Sequence, residues 1–105
     1  MTLIKSGPLW KQEGAWSGYC KYRFVVAASP HPTITYSTRR EAPSIKSASL
    51  QGCKVKEVGE FGGKYKFTLE FKSGECWQLA AESATERIAW LNAALFYFHS
   101  LAGPP

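Results

Sequence analysis

Residues 65–95 read YKFTLEFKSGECWQLAAESATERIAWLNAAL, and a change of period inside this stretch decides the fold class. Tyr65, Phe67, Leu69 and Phe71 alternate without a break with Lys66, Thr68, Glu70 and Lys72. Successive side chains on a strand point to opposite faces, so this strand buries one face and keeps the other in water, as antiparallel sheets allow. Ser73-Gly74 is a tight-turn pair, and the run ECWQLA after it is expected to return as the second arm of a hairpin. The period then lengthens. Ser83 is the expected helix cap, with Glu86 reaching back from three residues on. Ile88, Leu91, Leu95 and Phe98 follow at helical spacing, and Trp90 and Ala94 widen the stripe. Gly103-Pro104-Pro105 ends the helix and reads as the start of a linker.

Upstream of this stretch the chain reads as strands. LIKSGPLWKQ begins one. YCKYRFVV alternates, with Cys20, Tyr22, Phe24 and Val26 on the more apolar face and Tyr19, Lys21, Arg23 and Val25 on the other. SPHP breaks the chain, and TITYST is a third strand with Ile34 and Tyr36 on one face. RREAPSIK is a basic loop, SASL and KVKEV are two weaker strands, and GEFGGK is a turn. The expected fold is mainly β, of the α+β class: seven short strands and one C-terminal helix, whose apolar stripe would be buried at the open end of a curled antiparallel sheet. Trp10, Trp77 and Trp90 are expected in or near the core, and Cys53 is expected as a small packed side chain.

At 105 residues and 45% apolar, the chain supports one domain with a modest core. No run is long enough to span a bilayer, and the first residues lack a signal peptide's pattern. Cys20, Cys53 and Cys76 are odd in number and lack metal spacing, so they read as reduced thiols of a cytoplasmic protein. Every acid is a glutamate, and the two histidines are His31, in a loop, and His99, near the helix end. A Ser-His-Asp triad is therefore excluded, and no metal site, cofactor site or Gly-rich phosphate loop is visible; the expectation is a non-catalytic protein. The net charge of +5 is unevenly spread. Through Lys66 there are 11 Lys+Arg against 4 Glu, a balance of +7, and from Phe67 onward 2 against 4, a balance of −2. The basic part favours an anionic partner. Nucleic acid is disfavoured, because the aromatic side chains alternate inward and leave few stacking platforms.

In this order the segments resemble a pleckstrin homology (PH) domain over about residues 5–98. SGPLWKQ is similar to that family's opening Gly-x-Leu-x-Lys strand, YCKYRFVV to its second strand and ITYST to its third. SLQGCKV resembles the stretch that ends in Cys-x-Val, and WQLAAESATERIAWLNAAL the last strand and helix, with Trp90 at the family's tryptophan. The resemblance implies a seven-stranded, bent antiparallel barrel capped at one end by the C-terminal α-helix, and a module of a larger multidomain protein that binds phosphoinositides at membranes and recruits a signalling or trafficking protein there. The alternative it leaves open is a protein-interaction module, for a small GTPase or a scaffold, with a degenerate lipid pocket.

Phosphoinositide-binding members resemble Lys-x(n)-Lys/Arg-x-Arg-apolar across the first two strands, and Lys11, Lys21, Tyr22, Arg23 and Phe24 fit that spacing. Arginine offers phosphate a fork and lysine a mobile point charge. Alignment of Phe24-Val25-Val26 with the family's Phe-Val-Leu, however, puts Tyr22 in the arginine's place. Lys21 and Arg23 then face outward, because a shift of one residue exchanges the faces. An outer headgroup arrangement is the second possibility, between the first–second and fifth–sixth strand loops. It would use Lys21, Arg23, Trp16, Ser17, Lys64 and Tyr65, with Trp16 able to enter a membrane interface. Arg39, Arg40 and Lys46 in the third–fourth loop would add charge near an anionic surface, and Tyr36 is a further headgroup-contact candidate.

Overall fold

The computed structural model describes residues 3–13, 18–28, 31–38 and 43–95. Seven strands run in the order β1 (Leu3–Gln12), β2 (Tyr19–Ala27), β3 (Thr33–Ser37), β4 (Ser44–Ser49), β5 (Lys54–Phe61), β6 (Lys64–Glu70) and β7 (Cys76–Ala81). Helix α1 (Ala84–Ala94) follows. The strands form one antiparallel sheet in the spatial order β4-β3-β2-β1-β7-β6-β5, so β4 and β5 are its edges. The sheet curls on itself and α1 lies against β1, β6 and β7.

Parity along the strands builds the core. Phe67 and Leu69 of β6 are buried, as is Phe71 just beyond it, and so are Trp77, Leu79 and Ala81 of β7. Leu9, Phe24, Val26, Ile34 and Tyr36 complete the inward rows from β1, β2 and β3. Phe24 stacks on Tyr36 at 5.1 Å and meets Trp77 and Trp90 edge-on at 6.3 and 6.5 Å. Such tilted pairs contribute about 0.5–1.5 kcal/mol each beyond their buried area. Cys53 is buried, as expected, and all three thiols are free. Burial pushes the Cys53 thiol up to about 11.

Besides β5, which runs on through Gly59, Glu60 and Phe61 into the stretch expected as a turn, three elements differ from the sequence expectation. First, β4 covers SIKSAS rather than SASL, so Lys46 belongs to a strand and pairs in register with Tyr36. Second, the buried face of α1 is Trp90, Ala93 and Ala94, whereas Ile88 is 54% exposed. The indole of Trp90 is large enough to fill the gap between helix and sheet, where it lies over the glycine surface at Gly7. Small alanines then bring the next turn close, and the stripe rotates away from Ile88. Third, Ser83 accepts a hydrogen bond from the Glu86 N–H at 3.0 Å, as an N-cap does, but the Glu86 carboxylate lies 3.4 Å from Lys5 Nζ on β1. The expected positions of Phe98, His99 and the 103–105 linker fall outside the described residues.

The β5–β6 hairpin closes at Gly62-Gly63, with φ of 60° and 78°. Two positive φ values in succession match the twist of a hairpin and favour glycine at both positions. The pairing of β5 with β6 slips between Glu57 and Gly59, leaving Val58 as an unpaired bulge residue on the edge strand. Arg87 of α1 braces this bulge. Its Nη1 donates to the Gly59 and Lys66 carbonyls at 3.1 and 3.2 Å, and its guanidinium lies 5.6 Å from the Tyr65 ring.

Candidate anion-binding surface

Two places gather the cations predicted from sequence, and their electrostatics differ. The first is the mouth of the barrel, at the end formed by the last residues of β1 and the β6–β7 turn. Lys11 shares inward parity with Leu9, and its Nζ lies 5.6 Å from the Tyr36 ring and 5.8 Å from the Trp77 ring. Glu13 Oε1 is 3.9 Å from that ammonium, and the Lys11 side chain is only 13% exposed. Glu75 pairs with Lys46 and accepts the Trp77 indole N–H at 3.2 Å. Those two donors hold its carboxyl below the usual carboxylate range. Tyr22 is inward, 5.0 Å from Tyr36, and its phenol donates to Glu13; burial first, then that bond, pushes it up to about 12. The mouth thus holds two lysines, two glutamates and neutral tyrosines. Its ammonium groups already have anionic or aromatic partners, and a phosphate entering there would meet two carboxylates.

The second place is the outer face, where β1 and β2 meet β7 and β6. A direct cross-strand row runs Lys21 (β2), Trp10 (β1), Ala80 (β7), Lys66 (β6). Neighbours in such a row have Cβ atoms about 5 Å apart, so their side chains interact. Ala80 is fully buried despite its outward parity, as a large ring laid across it would make it. The Trp10 ring has Lys21 Nζ at 5.1 Å and Lys64 Nζ at 5.2 Å from its centroid. Lys66 Nζ lies 5.4 Å from the Tyr19 ring and 5.3 Å from the Phe61 ring. Tyr19, Phe61, Gly62, Lys64 and Lys66 line a shallow cavity of about 330 Å³. Lys21 pairs with Glu82 at 3.2 Å across an exposed contact. Among the described residues, neither Lys64 nor Lys66 is in an ion pair with a carboxylate.

The structure therefore separates the residues singled out from sequence. Lys11, Lys46 and Tyr36 belong to the mouth, with Tyr36 only 5% exposed. Lys21 and Lys64 come together around Trp10. Arg23 is outward too, but one strand position further along, where its Nη2 donates to Ser6 Oγ at 3.1 Å. Tyr65 does not join Lys64: it shares the row of Phe67 and Leu69 and lies under Arg87. Trp16, Ser17, Arg39 and Arg40 fall outside the described residues. Trp10, expected near the core, is instead partly buried on the outer face. Trp10, Lys66, Tyr19 and Phe61 were not identified as site residues from the sequence. The signal was present: β6 alternates strictly, so Lys66 must share a face with Lys64, and Leu9 and Lys11 inward forces Trp10 outward.

Residues 3–93 match the family model of the PH domain, and the chain belongs to that family. No curated protein sequence matches the chain. Among solved structures it is similar to the C-terminal PH domain of pleckstrin in complex with D-myo-Ins(1,2,3,5,6)P5, with a TM-score of 0.81 and 22% identity over 90% of this chain and 94% of that one. It is also similar to the PH domain of human oxysterol binding protein-related protein 11 (TM-score 0.75, 20% identity, 96% and 88% covered). A third similarity is to the C-terminal PH domain of human pleckstrin 2 (TM-score 0.73, 25% identity, 99% and 86% covered).

Proposed function

We propose that this domain is a non-catalytic module that binds the phosphorylated headgroup of an anionic lipid on its outer face, around Trp10, and so brings the larger protein it serves to a membrane. One observation carries the reading: Lys21 and Lys64 flank the Trp10 ring, Lys66 stands two strands from Trp10 in the same cross-strand row, and among the described residues neither Lys64 nor Lys66 is spent on a carboxylate. A partly buried aromatic floor with mobile ammonium groups suits a ring that carries phosphates, since each ammonium can reach one oxygen cluster. The family supports the class of ligand, and the inositol phosphate bound by the pleckstrin domain is in keeping with it. The mouth supports it less, because Tyr22 supplies no cation and Glu13 and Glu75 repel phosphate. Co-sedimentation with phosphatidylcholine vesicles containing a phosphoinositide tests the proposal. Pelleting at low salt that weakens as salt rises is expected. A chain that stays in the supernatant at low salt refutes it.

A further inference from the structure

Phe61 is 76% exposed, more than any other large apolar side chain among the described residues. It closes β5 and is followed at once by the Gly62-Gly63 turn, so the hairpin tip carries no other bulk. Its parity is outward: in register it faces Lys64, and Lys66 Nζ lies 5.3 Å from its ring. Tyr19 and Trp10 follow on the same face. The one acid of the tip, Glu60, folds its carboxylate back to accept the Gly63 N–H at 3.0 Å. A bare apolar tip, a collar of lysines, and amphipathic aromatic rings behind them match the layers of an anionic bilayer from acyl boundary to headgroup.

We infer that the β5–β6 tip is a membrane-insertion element: Phe61 enters the headgroup–acyl boundary of an anionic bilayer while Lys64, Lys66 and Lys21 engage the headgroups above it. This rests on the headgroup reading and adds to it a bilayer, rather than a free inositol phosphate, as the full partner. It also fixes orientation, with the Gly62-Gly63 turn toward the membrane and the β6–β7 turn, at the opposite end of β6, further from it. An exposed phenylalanine in water gains by entering that boundary, and a basic collar adds attraction to the anionic headgroups that acts within about a Debye length of the surface.

Two probes on the full chain separate the claims: phosphatidylcholine vesicles containing phosphatidylserine and a phosphoinositide, and soluble inositol hexakisphosphate. Phe61→Ser should lower vesicle affinity about tenfold and, since Phe61 also borders the Lys66 cavity, lower the soluble ligand's affinity far less, by no more than about twofold. Phe61→Leu should restore most of the vesicle affinity. Because the ring is exposed, thermal unfolding of Phe61→Ser should match that of the unaltered chain. Unchanged vesicle affinity in Phe61→Ser, with both probes bound by the unaltered chain, overturns insertion and leaves the headgroup site standing. Equal loss on both probes also overturns insertion and makes Phe61 a headgroup contact. Failure of the unaltered chain to bind either probe overturns the headgroup reading and the insertion with it.

Discussion

Replacing Lys64 and Lys66 together by alanine is the sharpest perturbation of the outer face. Their ammonium groups lie against the Trp10, Tyr19 and Phe61 rings, so the fold loses only exposed cation–π contacts, on the order of 0.5–1 kcal/mol each. Binding loses more. A lysine close to an anionic membrane contributes about 1 kcal/mol, so the pair contributes about 2 kcal/mol, or roughly thirtyfold in affinity. The double variant should therefore need roughly thirty times more phosphoinositide vesicles for half-maximal pelleting, and its salt dependence should be shallower. Lys11→Ala is the matched control. That side chain is deep in the mouth against Tyr36, Trp77 and Glu13, so its loss should lower the melting temperature and leave vesicle affinity within a factor of about two. The opposite pattern, with affinity lost in Lys11→Ala and kept in the double variant, refutes the outer site and returns the headgroup to the mouth.

Tyr22 makes stability fall on the alkaline side. Its pKa is about 12 in the folded chain against 10.0 as the ordinary value, so it stays protonated where the unfolded chain has already ionised. Its contribution is full below pH 10 and is lost as pH rises toward 12. Solvent reaches part of this ring, so the loss is about 1–2 kcal/mol, and urea melts of Tyr22→Phe across that range should show a shallower decline than the unaltered chain. A parallel decline would assign the effect to Cys53 or Tyr36, whose pKa values are also raised. Arg87→Ala strands the Gly59 and Lys66 carbonyls and frees the bulge from the helix. It should cost about 2 kcal/mol, or roughly 10 °C in the thermal midpoint. A midpoint lowered by less than a couple of degrees would mean that water replaces the guanidinium without loss.

The strands that could be read from sequence were those with one wet face and one dry one. β6 shows this most plainly, because Phe67 and Leu69 are buried and Lys66 and Thr68 are not. β4 was placed late by several residues, since SIKSAS is exposed almost throughout and has no period to detect. The helix start was legible through Ser83, whereas its buried face was not. The volume of Trp90 and the smallness of Ala93 and Ala94 decide the rotation, and periodicity gives all apolar residues the same weight. The site was legible in part for a related reason. Parity placed Lys21 and Arg23 on the outer face, and the family pattern put Lys11 at the inner site. Trp10 escaped because a tryptophan is taken as core by default, although β1 parity excludes it. Which lysines lie near glutamates depends on contacts such as Lys46 with Glu75, 29 residues apart, and no local pattern encodes those.

The bulge at Val58 has a bearing on crowding. If the domain gathers on a membrane as proposed, each copy of β5 would offer its unpaired backbone edge to the next. Antiparallel pairing of two β5 strands around Val58 would set Lys56 of one copy opposite Glu60 of the other, a register with matched charges. The extra residue at the bulge reverses parity between them: Lys56 lies in the row of Thr68 and Glu60 in the row of Tyr65, on opposite faces of the sheet. The ladder and the charge match cannot both form, so the edge discourages lateral zippering of neighbours even when a membrane packs them side by side.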